Sequence, residues 1–198
     1  MIGTGTFNRL LLLVAAAAAL ALPFLDCRSN RIKTMLIGKR LGGENLSGID
    51  FYNSNLPKAD LSRSKLINAN FSFADLTGAR FVNADLRYAD LSSADLSGAD
   101  FRGANLRNAV LRNAILKNAN LIDAYCYGAN LSGADLRGAL LQSNRDPGHT
   151  PSRIPGKGSL YYAHMRGANL AGAAISISMK EFIAGQNVNN FDKIIWTK

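Results

Sequence analysis

Residues 69–108 read ANFSF ADLTG ARFVN ADLRY ADLSS ADLSG ADFRG ANLRN, eight consecutive units of five residues. Each unit opens on Ala and carries Leu or Phe in third place. Steps of five from Leu46 to Leu141 land on Leu or Phe at every position except Cys126, and the place two residues earlier is Ala from Ala69 through Ala139. Between them sits usually Asp or Asn, as in Ala74-Asp75-Leu76 and Ala129-Asn130-Leu131. A period of five matches neither the helix at 3.6 nor the strand at 2. A chain that turns a corner every five residues, however, sends the same two positions inward each time. Leu or Phe fills the axis, Ala sits where only a methyl fits, and the polar residue between them points out, where its side chain can bond local backbone in a turn. Such a chain is a solenoid whose coils stack through backbone hydrogen bonds about 4.8 Å apart.

These A(D/N)LxG-like units resemble those of the pentapeptide repeat family, continuously over about half of the chain. The resemblance implies an all-β solenoid, a right-handed quadrilateral β-helix with four units, hence twenty residues, in each coil. On that geometry Phe51 lies over Phe71 and Phe81 over Phe101. Residues 41–141 then make about five coils, roughly 24 Å of axis.

The register breaks after Leu141 and resumes at Leu160, Met165, Leu170 and Ile175, so residues 160–177 are expected to form a final coil. The stretch 142–159 between them holds Pro147, Pro151 and Pro155 with three glycines, and Arg145, Arg153 and Lys157 make it basic. It reads as a surface loop, either a tolerated insertion or a binding element. Both ends of a β-helix expose strand edges that need covers. At the C-terminal end, residues 178–198, Ser178-Met179-Lys180-Glu181 reads as a capping box opening a short helix through Ala184. Phe191, Ile194 and Ile195 follow at helical spacing. At the N-terminal end, residues 22–40, Ile32, Met35 and Leu36 show the same spacing after Ser29 and Asn30, which predicts a helical cap there too.

The 198 residues carry 23 Lys+Arg against 14 Asp+Glu, a formal charge of +9. That charge sits at the ends, because residues 41–141 hold ten groups of each sign. Residues 10–22 are entirely apolar, and Ala19-Leu20-Ala21 supplies a small-x-small cleavage pattern, so residues 1–21 read as a signal peptide with Leu22 as the mature start. The alternative is an uncleaved membrane anchor of residues 10–25, which the five bases between Arg28 and Arg40 keep open. Asp26 beside Cys27 departs from the small residue that lipoprotein signals use. The expected location is the periplasm or, in a cyanobacterium, the thylakoid lumen, where exported members of the family resembled here also occur. The membrane enters only through the N-terminal segment, if it is uncleaved.

Nothing in the sequence assembles a catalytic constellation, and no enzyme activity, cofactor or metal is expected. His149 lies in the Pro/Gly stretch, while His164 takes an outward position with no Cys or carboxylate at ligand spacing. Cys126 replaces a core Leu and reads as a small buried hydrophobe. Nucleic acid is not an expected partner, because the coils are neutral and carry few outward aromatics. The expected partner is a protein of unknown identity, which makes the chain a non-enzymatic structural or binding module. Steps of twenty align Arg87, Arg107 and Tyr127 in one column, with Tyr125 in the adjoining one and Tyr88 nearby. Arg and Tyr are enriched at interfaces, so these five, with Arg145, Arg153 and Lys157, are the candidate partner-binding residues. The alternative is that long side chains simply cover the coil edges. The family resemblance also raises a membrane-anchored or cytoplasmic regulator of a nucleic-acid enzyme such as DNA gyrase. That role rests on mimicry of DNA by an acidic face, and Lys65, Arg80, Arg87, Arg102, Arg107, Arg112, Lys117 and Arg137 offset the acids here.

Overall fold

The computed structural model describes residues 41–141, 163–176 and 179–197. The repeats wind into a β-helix solenoid. Parallel bridges join residues twenty apart, such as Asn45 to Lys65, Asp50 to Asn70, Asn55 to Asp75 and Asp60 to Arg80, so each coil has four sides. We number coils 1 to 4 as residues 44–63, 64–83, 84–103 and 104–123; coil 5 begins at 124, and 163–176 belong to coil 6. The step to coil 6 is thirty-four residues instead of twenty, as His164 bridges Asn130 and Asn169 bridges Asp135. Side-chain register is unchanged across this step, and Met165, Leu170 and Ile175 are fully buried.

The five-residue unit is explained by its backbone donors. Taking the Leu86 unit as an example, the Asp85 N–H donates back to Ser64 O (2.9 Å), while the Leu86 and Tyr88 N–H groups donate forward to Asn105 O (2.8 Å) and Arg107 O (3.1 Å). The Ala89 N–H closes the corner on Leu86 O (3.1 Å). One donor per unit, at the first corner residue, has no place in this ladder. The Asp or Asn two residues earlier accepts it through Oδ1: Thr77 N–H to Asp75 (3.0 Å), Ser92 to Asp90 (2.9 Å), Ser97 to Asp95 (3.0 Å), Ser132 to Asn130 (3.1 Å). The outward Asp or Asn is therefore a backbone acceptor as well as a surface group. The second corner residue has φ near +60° throughout the coils, which explains the Gly and Asn found there so often.

The interior holds the Leu and Phe side chains at 0–7% exposure and the Ala column at 0–2%. Phe51 stacks on Phe71 (ring centroids 4.8 Å, planes 10° apart) and Phe81 on Phe101 (4.8 Å, 3°), as the twenty-residue step predicts. Phe71 and Phe81 meet edge to face at 6.0 Å, joining the two stacks. Ser54 and Ser64 replace Ala in the buried column and return their hydroxyls to the Phe51 and Leu61 carbonyls.

The C-terminal cover departs in part from the sequence expectation. Strand β1 is Ala174–Ser176, helix α1 is Lys180–Ala184 with Ile183 buried, and strand β2 is Ile195–Thr197. The residue capping α1 is Met179, which makes no side-chain cap bond; Ser178 lies outside the described residues. Phe191, Ile194 and Ile195 do not continue as a helix. Only a 3₁₀ turn forms at Phe191–Lys193, preceded by Asn190 in the left-handed conformation, and β2 then pairs in parallel with β1. The open backbone edge of the last coil offers hydrogen bonds that a helix there would leave unmade, and it overrides the helical spacing. Phe182, Val188, Phe191 and Trp196 pack against the end of the core. The expected N-terminal helix at Ile32 to Leu36 lies outside the described residues.

Candidate partner-binding surface

Four outward columns run the length of the rod, one on each side, separated by corners. The first side carries Asn45, Lys65, Asp85, Asn105 and Tyr125. The corner that follows it holds Ile67, Arg87, Arg107 and Tyr127, then Asn68, Tyr88 and Asn108. Five of the eight sequence candidates, Arg87, Tyr88, Arg107, Tyr125 and Tyr127, therefore sit together along one side and corner of coils 3 to 5. Arg145, Arg153 and Lys157 lie outside the described residues.

The five are not equivalent. Arg107 places its guanidinium 5.6 Å from the centre of the Tyr127 ring in the next coil, a cation–π contact. Tyr88 is 56% exposed and adopts φ +59°, where a bulky side chain is sterically disfavoured. Arg87, by contrast, is engaged within its own unit. Its Nε donates to Asp85 Oδ1 (2.8 Å) and its Nη2 to Asp85 Oδ2 (2.7 Å), a two-point grip. Arg102 holds Asp100, and Arg137 holds Asp135, in the same way.

These grips set the electrostatics of the rod. Burial alone would lift the Asp85 and Asp100 carboxyls, but the hydrogen bonds and charge of Arg87 and Arg102 outweigh it and keep both below the ordinary range. At Asp135 the Arg137 hydrogen bond is the leading influence, opposed by burial and helped by Lys117 at 3.6 Å. Cys126 is buried among apolar neighbours, and desolvation pushes its thiol up to about 12. His164 is exposed on the second side. Among the described residues no group of three or more His, Cys, Asp or Glu is placed to hold a metal ion, and no helix is long and apolar enough to cross a membrane.

The corners also carry an aromatic pair that the column reading misses. Tyr52 and Phe73 meet edge to face at 5.7 Å, with 46% and 57% of their surfaces exposed. They stand twenty-one residues apart, on the first and second residues of one corner, so a search in steps of twenty passes over them.

A four-sided solenoid of stacked five-residue units defines the class. A family model for pentapeptide repeats matches in eight copies, over residues 45–81, 68–103, 79–118 and 99–138, and through this region the chain belongs to the pentapeptide repeat family. Among solved structures it is similar to HetL, a pentapeptide repeat protein involved in heterocyst differentiation regulation from the cyanobacterium Nostoc sp. strain PCC 7120. Identity is 34%, over 69% of this chain and 66% of that one, with a TM-score of 0.43. The chain thus spans about two thirds of that protein. It is also similar to a pentapeptide repeat protein of the Arabidopsis thaliana thylakoid lumen, at 26% identity over 81% of this chain and 86% of that one (TM-score 0.28). A third is QnrB1, a plasmid-mediated fluoroquinolone resistance protein, at 18% identity over 79% and 87% (TM-score 0.36). No curated protein matches the chain.

Proposed function

We propose that this chain is a non-enzymatic protein-binding module, exported across a membrane after cleavage near Ala21, whose right-handed rod presents the corner of Arg107, Tyr127 and Tyr88 to a protein partner. The observation that carries the reading is the Arg107–Tyr127 stack beside an exposed Tyr88. A rigid backbone holds both at fixed spacing, so little ordering remains to be done on binding. Arg87 serves here as a positioning group for the Asp85 side and not as a free contact. The mature body is then residues 22–198, with 178–198 as its C-terminal cover and 142–159 as an accessory loop.

Two measurements test this. A photocrosslinking phenylalanine analogue at Tyr88, introduced in the native cell, should give one discrete adduct with a protein other than this chain, lost in R107S/Y127S while the far-UV spectrum stays the same. An undiminished adduct removes this corner from consideration. Intact mass and N-terminal sequencing should find a start near Leu22; an intact Met1 in the membrane fraction would replace export with anchoring by residues 10–25. Against the gyrase-type alternative, three of the ten acids of residues 41–141, Asp85, Asp100 and Asp135, are each gripped by an Arg of their own unit.

A further inference from the structure

The second side of the rod changes sign halfway along. In coils 1 to 3 its outward column is Asp50, Asn70 and Asp90, with no Lys or Arg among residues 48–53, 68–73 and 88–93. In coils 4 to 6 the column continues as Val110, Asn130 and His164, with the exposed Arg112 and Arg166 on the adjoining corner and no acid among residues 108–113, 128–133 and 163–167. Neither Arg makes an ion pair among the described residues, in contrast to Arg87, Arg102 and Arg137. The acidic half is bordered by Tyr88 on one corner and by Tyr52 and Phe73 on the other. Tyr88 and Phe73 sit at φ +59° and +60°, where neighbouring coils use Asn, Gly or Ser. Bulky rings at strained, half-exposed positions add nothing to this core, so their use lies outside it.

We infer that the second side is a self-complementary surface on which two copies of this chain pack antiparallel. Turned end over end about an axis between coils 3 and 4, a second copy sets its coil 4 against coil 3 and its coil 6 against coil 1. Each column then meets itself in reverse, so Asp90 lies over Val110 with Arg112 of the other copy one column aside and within reach of its carboxylate, and Tyr52 lies over Arg166 beside Asp50; symmetry makes each contact twice. Parallel packing would set acid on acid, which selects the antiparallel arrangement. The strip is about 24 Å long at one strand spacing per coil and about 10 Å wide at three extended residues per side, roughly 240 Å². That is small against the roughly 800 Å² per partner of a stable interface, so the dimer is reversible and salt-sensitive. The competing occupant of the acidic half is the chain's own basic segment, residues 26–40, which carries five bases and one acid.

Charge reversal separates the two. The full chain, kept in a non-ionic detergent because of its apolar residues 10–25, is followed by sedimentation velocity from low to high micromolar concentration. Both D90R and R112E should weaken dimerisation at least about tenfold, and the double variant D90R/R112E should recover it to within about threefold. An Arg at position 90 suits the coil, because Arg80 already occupies the equivalent place in coil 2. Far-UV spectra check that each variant is folded. A chain that stays monomeric throughout, or a dimer indifferent to both reversals, overturns the inference. An effect of D90R without one of R112E also overturns it. Failure of the double variant to restore what the single ones lose counts equally against it.

Discussion

Replacing Phe81 by Ala measures how far this rod behaves as one cooperative column. The ring is fully buried, stacks on Phe101 at 4.8 Å and meets Phe71 edge-on at 6.0 Å, so its loss opens a cavity with coils on both sides and removes two ring contacts. Phe-to-Ala changes in cores cost about 3–5 kcal/mol, and two aromatic partners put this site near the top of that range, about 4–5 kcal/mol. Phe51 is the natural control. It is 6% exposed in coil 1 and has one stacked partner, Phe71. In a solenoid each coil leans only on its neighbours, so the penalty at the end is limited by the free energy of opening coil 1, and we expect about 2–3 kcal/mol for Phe51→Ala. Urea unfolding of the full chain, followed by far-UV circular dichroism, gives both values. Phe51→Ala should also lower the slope of the transition, because an opened coil has already surrendered surface. A Phe81→Ala cost below about 1.5 kcal/mol, or equal costs and slopes for the two variants, would refute the argument that burial between coils sets the stability of this column.

Other expectations follow from the donors and charges. Asp95→Ala should cost about 1 kcal/mol by stranding the Ser97 N–H, whereas Asn55→Ala should be nearly neutral because the residue two further on is Pro57, which has no N–H to satisfy. Thermal unfolding of the two variants side by side decides it. With Cys27 changed to Ser, Cys126 should resist a disulfide-exchange reagent at pH 8 in the folded state and react at once in guanidinium, since a thiol at about 12 is ionised there in only about one molecule in ten thousand. The Arg grips should make the protein acid-sensitive. Asp85, Asp100 and Asp135 are depressed in the folded state, so their contribution is complete above the unfolded value of about 3.9 and is lost as pH falls through the lower folded values. Asp135→Asn should therefore lower the urea midpoint at pH 6 and leave a smaller gap to the parent near pH 2; an unchanged gap would separate acid sensitivity from this pair.

Much of the architecture is legible because inward and outward positions obey a strict count. Leu76, Phe81 and Leu86 declare the axis, and Ala74, Ala79 and Ala84 declare the tight side of each coil; the Phe stacks come directly from adding twenty. The end of the rod is less legible, since Phe191, Ile194 and Ile195 carry helical spacing and nothing local says that Ala174–Ser176 offers them an open edge. The surface was harder for a different reason. Asp85 and Arg87 are two apart, a spacing that puts side chains on one face of a flat strand, but here the corner between them brings the guanidinium onto the carboxylate. The recurring Asp-x-Arg of residues 85–87, 100–102 and 135–137 was the available signal for those pairs. Tyr52 and Phe73 lie in neighbouring columns, and only the corner geometry shows that they touch.

The change from a twenty-residue to a thirty-four-residue step between coils 5 and 6 separates two properties that are coupled in most folds. The rod reads its register from two inward positions and one backbone acceptor per unit, so the chain added between Leu141 and Ala163 leaves the pairing and order of the later sides unchanged. Length along the axis is thus quantised by whole coils, while chain can be added between two coils without altering that ruler. Such a molecule can hold two attachment points at a fixed separation over long evolutionary drift, because its corners can acquire new chemistry without moving the old.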